Sequence, residues 1–194
     1  MRKRQENKLV RNLVTLFIVL LMVGSVIGYM FGRGSGESFK YNDYKFLKRG
    51  NKFVLKFDRE ELEFDYFPSD VENINISSEV FAKFSNKIEI DSTYDNNTKW
   101  KAGISVSQFD LERFFSVIGI YFVKGLTTEN EFEMPVITCE DATSKVPVIY
   151  FKESNETKVF AEDHCVIAEA KSELDFIRIK DRLIYGLLKV IENE

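Results

Sequence analysis

AEDHC, residues 161–165, sets the only histidine of the chain beside one of its two cysteines. A histidine next to a thiol suggests nucleophilic catalysis, half of a metal site, or the end of a disulfide. With one histidine, every base-assisted nucleophile would have to use His164. If both residues lie in a strand, His164 and Cys165 point to opposite faces, so only Cys139 could approach the imidazole as a thiol. A zinc site needs about four ligands, and Cys139, His164, Cys165 and a carboxylate would have to converge without any CxxC or HxxxH spacing. Glu140-Asp141 and Glu162-Asp163 flank the cysteines and offer oxygen ligands for a hard cation such as calcium, but a solvated acidic rim is the simpler reading. Asp91, Asp95, Asn96 and Asn97 lack EF-hand spacing, and neither a Walker A motif nor GxGxxG is present. The expectation is therefore no catalytic residue, no metal, no cofactor and no enzyme.

The compartment of this stretch follows from the front of the chain. Residues 13–31, LVTLFIVLLMVGSVIGYMF, carry no charge. At 1.5 Å per residue they span about 28 Å, close to the hydrocarbon thickness of a bilayer. A buried core helix of this length would show a polar face, and this one shows none. Arg2, Lys3, Arg4, Lys8 and Arg11 precede the run, and the far less basic RGSGES follows it. The positive-inside tendency then keeps the N-terminus cytoplasmic. This predicts a basic cytoplasmic leader (1–11), a signal-anchor helix (12–32), a linker (33–39) and an extracytoplasmic domain (40–194). A cleaved signal peptide is the competing reading, although the run is long for one and Gly24-Ser25-Val26 is a poor cleavage site. Gly24, Gly28 and Gly32 recur every fourth residue, giving one helix face that would admit a neighbouring helix closely.

Charge is divided the same way. Residues 1–33 carry a net +5 and the remainder a net −9, a balance that excludes nucleic acid as a partner of the outer domain. Outside the membrane, an even count of cysteines is expected to pair, and a Cys139–Cys165 bond would close a loop worth roughly 3 to 4 kcal/mol. Two reduced, buried cysteines are the alternative. Asn75, Asn96 and Asn155 head N-x-S/T sequons, candidate glycosylation sites in such a location.

The elements that would position these residues form an α+β domain. FVLKF (53–57) and LEFDYF (62–67) alternate as strands of an antiparallel meander, with Phe57 expected opposite Leu62 across a DREE turn. SSEVFAKF (77–84) reads as a short helix, KIEID (87–91) as a strand and 91–103 as a surface loop. Ser107 and Asp110 form a capping signal for a helix over about 107–120, which either continues or runs into a strand at IGIYFVK. VPVIYF (146–151) and TKVFAE (157–162) read as a hairpin across KESNE, followed by the strand CVIAEA (165–170). Ser172, with Asp175 as its partner, opens a second main helix over 173–192, whose stripe Phe176, Ile179, Leu183, Ile184, Leu187, Leu188 and Ile191 faces the core. Lys180 falls within that stripe and is expected to bury its stem while its ammonium reaches water. The predicted architecture is antiparallel strands covered on one face by these two helices.

Residues 137–188, with YKF and FDYFPSDVENI earlier, resemble a group of short archaeal proteins. These share one N-terminal membrane helix, paired cysteines around a hairpin and a closing D-R-L-x-Y-x-L-L helix. The resemblance extends loosely over 41–194, implies a cell-envelope setting and carries no activity. Together these readings predict a single-pass envelope protein, associated with the bilayer, whose outer domain binds or scaffolds a protein partner or a second copy. The alternatives are an accessory subunit of a transport, secretion or surface assembly, and an extracytoplasmic carboxylate-dependent hydrolase.

Overall fold

The computed structural model describes residues 3–32 and 37–192, with side chains from 10–28 and 37–192. The chain divides into two units, residues 1–37 and 38–194.

The first unit is one helix, α1 (Lys3–Gly32). Val10–Gly28 has a mean hydropathy of 2.2 and is long and apolar enough to cross a membrane. Its large apolar side chains are exposed all round, from Val10 through Leu16 and Leu20 to Ile27. Residues 33–36 of the expected linker lie outside the described residues.

The second unit holds two sheets. The first is a four-stranded antiparallel meander in sequence order: β1 (Ser38–Tyr41), β2 (Tyr44–Arg49), β3 (Lys52–Phe57) and β4 (Glu60–Phe64). Its three turns each begin on a residue with positive φ, Asn42 at 49°, Gly50 at 58° and Asp58 at 56°. Asn, Gly and Asp are the residue types that accept this left-handed conformation. The last turn is tighter than DREE, so Phe57 faces Glu60 while Leu55 faces Leu62 and Lys56 faces Glu61. A two-residue slip preserves the faces, and Leu62 and Phe64 still point into the core.

Two short helices follow, α2 (Pro68–Val71) and α3 (Ser78–Phe84). The second sheet is mixed, in the order β6-β5-β7-β9-β8. Its strands are β5 (Glu89–Tyr94), β6 (Tyr121–Lys124), β7 (Val148–Glu153), β8 (Lys158–Glu162) and β9 (Cys165–Ala170). Here the antiparallel expectation needs correcting: β6, β5, β7 and β9 run parallel, and only β8 is antiparallel. The expected hairpin across KESNE is absent, because β9 lies between β7 and β8. All six residues of CVIAEA are buried, and a strand apolar on both faces belongs in the middle of a sheet rather than at its edge. The hairpin lies instead between β8 and β9, with Asp163 and His164 as its turn.

Both main helices occur with shifted bounds. α4 runs Lys101–Val117, beginning six residues before the Ser107 signal. Ser107 is mid-helix and buried, its hydroxyl donating 2.8 Å to the Gly103 carbonyl. The helix then gives way to β6, resolving IGIYFVK in favour of the strand. α5 spans Glu173–Leu187 and stops short of 192, with Lys189 at φ 58° just beyond it. Its cap is as expected: the Ser172 hydroxyl oxygen accepts the Asp175 N–H at 3.2 Å.

α5 lies between the two sheets. Tyr185 stacks on Phe64 of the meander at 4.3 Å, whereas Phe176 meets Phe151 of β7 at 6.0 Å. Residues 179–186 are consequently all buried, charged ones included.

Candidate functional site

Three consecutive charges, Lys180, Asp181 and Arg182, fall inside the fully buried turn of α5. Lys180 does not reach water. Its Nζ lies 3.0 Å from Asp65 Oδ2, 2.9 Å from Asp110 Oδ2 and 2.7 Å from Asp181 Oδ1. The expected snorkelling stem presumed a solvated flank at Lys180, and residues 179–186 of α5 have none. Asp181 Oδ2 accepts the backbone N–H groups of Asp65 and Tyr66 at 2.9 and 2.8 Å, fastening the exit of β4 to α5. Asp65 is shared with Lys52 at 2.6 Å.

Burial sets the electrostatics of this cluster. Desolvation pushes the Asp181 carboxyl up to about 6 against the opposing pull of Lys180 and the Tyr66 N–H. For Lys180 burial works downward, but Asp181 and Asp110 overcome it and hold the ammonium above its ordinary range. Desolvation would raise Asp65 too, yet hydrogen bonding and charge from Lys52 and Lys180 keep it below the usual carboxylate range. An enclosed, fully paired lysine is a poor nucleophile, because its amine is kept protonated.

Asp110 links the cluster to the surface. It lines a groove of about 400 Å³ between β4 and α4. Leu62, Phe64, Phe114 and Ile184 supply apolar lining, and Glu60, Glu61, Glu63, Glu112 and Arg113 supply polar lining. Three of the five acids have basic partners: Glu61 with Arg49, Glu112 with Lys124 at 2.6 Å, and Asp110 with Lys180. Among the described residues Glu60 and Glu63 have no ion-pair partner, and both are exposed. The groove therefore combines buried apolar residues with exposed carboxylates at its rim.

The residues singled out from the sequence lie elsewhere. Cys139, in a single 3-10 turn over Cys139–Asp141, and Cys165, at the start of β9, are joined with a sulfur–sulfur distance of 2.03 Å. His164 sits in the β8–β9 turn rather than in a strand, and it is exposed. It lines a depression of about 230 Å³ with Lys83, Lys87, Thr143, Ser144 and Pro147, where no carboxylate completes a relay. Asp141 turns back on its own backbone, accepting the Thr138 N–H and hydroxyl at 2.8 and 2.9 Å. Among the described residues no group of three or more His, Cys, Asp or Glu is placed to hold a metal ion.

Asn75 and Asn155 are exposed and Asn96 is half-buried. Gly24 and Gly28 have nothing within 4 Å of an added Cβ, and the surroundings of Gly32 lie outside the described residues. The groove itself had one sequence signal, the acidic EELEF run, but its other wall is α4, whose approach to β4 no local pattern announces. No protein family, curated protein or solved structure matches the chain.

Proposed function

We propose that the chain is a single-pass, membrane-anchored envelope protein. Its N-terminus is cytoplasmic, and its acidic outer domain is a binding module for a protein partner, without catalysis of its own. The observation that carries this reading is the groove between β4 and α4, open to solvent, with an apolar lining and two unpaired carboxylates, Glu60 and Glu63. The anchor is supported by the apolar Val10–Gly28 span, whose one charged residue is Arg11 near its start, and its orientation by the basic residues at and ahead of that start. The joined cysteines suit an oxidising compartment. The shared face of Gly24 and Gly28 supports an additional contact with another membrane helix or a second copy.

The reading is tested by purifying the full chain from native membranes in two forms, unaltered and Glu60→Lys/Glu63→Lys. A defined partner should accompany the first and be lost from the second at unchanged folding and abundance. Equal recovery of the same partner with both forms would contradict a groove-based module.

A further inference from the structure

We propose that the open edge of β4 is a docking site for an extended peptide segment of the partner that alternates Lys or Arg with an apolar residue and adds as a fifth strand to the meander. The proposal rests on the binding-module reading and names the chemistry of what it binds.

β4 is an edge strand, paired to β3 alone. The two-residue turn makes Phe57 and Glu60 a hydrogen-bonded pair, and pairing alternates along an antiparallel ladder. Glu60, Leu62 and Phe64 thus bond to β3, while the N–H and C=O groups of Glu61 and Glu63 point away from it. Asp65 continues the outward row, and its N–H does have a partner, Asp181 Oδ2 at 2.9 Å. That bond fixes the phase independently and shows how the row is closed at one end. Glu61 and Glu63 have no partner for their outward backbone groups among the described residues, and both line the groove.

An added strand would satisfy these groups, which is how strand addition gains affinity, while side chains supply specificity. On the solvent face it would run beside Glu61, whose carboxylate Arg49 already holds, and Glu63, which has no ion-pair partner among the described residues, so a basic residue pairs favourably with Glu63. On the inner face Val117 is the exposed apolar residue of the groove, with Leu62, Phe64 and Phe114 buried behind it, and it calls for an apolar side chain. Charge on an edge strand ordinarily guards against aggregation; here the same charges would admit a basic segment and reject an acidic one.

The test uses the full chain in neutral-lipid nanodiscs, with empty nanodiscs as the blank. The probe is a fluorescent, acetylated peptide alternating lysine and valine. Saturable binding is expected, weakened roughly tenfold or more when alternate backbone nitrogens of the peptide are methylated, since that removes the ladder but keeps every charge. Glu63→Arg should weaken the unmethylated peptide to a similar extent, and far-UV circular dichroism checks its folding. The methylated arm uses unaltered protein, so it decides even if that variant misfolds. Equal binding of both peptides, or no saturable binding up to about 1 mM, would overturn the proposal. A partner still recovered from native membranes in that event would leave the binding module standing and remove only strand addition.

Discussion

Lys180 is held by three carboxylates, two of them contributed from distant parts of the chain. Asp65 follows the meander, Asp110 comes from α4 and Asp181 is its own neighbour. A buried ion pair is not by itself stabilising, yet removing one partner leaves a charge with neither water nor counter-ion. Lys180→Met should therefore cost about 3–5 kcal/mol in chemical denaturation. The loss also has a sign in pH. Without the ammonium, burial acts on Asp181 against its backbone N–H bonds alone, so its folded carboxyl rises further above its unfolded value and the folded state holds a proton that the unfolded state releases. The variant should go on losing stability as pH rises above about 6, where the parent's Asp181 has largely ionised and the parent changes less. A parent-like denaturation midpoint at all pH values would show the cluster to be dispensable. None of this was legible from the sequence. A helical wheel places Lys180 within an apolar stripe, but the second sheet that encloses the opposite flank is a tertiary fact.

At the scale of elements, local chemistry was readable where it acts over a few residues. The Ser172 cap and the alternation of β4, with Leu62 and Phe64 buried between exposed acids, do what their types dictate. Pairing order was not, because β7 and β9 become neighbours only once β8 is displaced outward, and four intervening residues look the same in either topology. The near-continuous apolar CVIAEA was the available sign of a central strand. α4 was misplaced for a related reason: Ser107 resembles a cap but lies mid-helix, whereas the true N-cap, Trp100, makes no side-chain cap bond for a pattern to announce. A Cβ on Gly103 would sit 2.5 Å from the Glu173 carbonyl oxygen, which is backbone and cannot swing aside. Alanine is favoured over glycine within helices by roughly 1 kcal/mol, whereas forcing α4 and α5 apart costs typically 1–3 kcal/mol. Gly103→Ala should thus be net destabilising, read as a lower midpoint in urea. A gain in stability would mean that the two helices can separate at this point without penalty.

For the whole molecule, the sequence made visible an apolar helix long enough for a bilayer, an acidic α+β domain and a cysteine pair that the fold joins. The apparent His-Cys site dissolved into a turn and a staple, because one residue points to solvent and the other is bonded behind it. What replaced it, a groove walled by β4 and α4, requires two elements whose contact no local pattern announces. Binding through that groove requires it to lie outside the cell and to be occupied by a protein. It is tested most directly by placing a photo-cross-linking amino acid at Glu63 of the full chain in intact cells, with Lys145, an exposed position outside the groove lining, as the comparison. One discrete cross-linked product from position 63, little from position 145, and digestion of that product by protease added outside the cells is the predicted result. Equal products from both positions, none from position 63, or a product protected until the cells are lysed would contradict it.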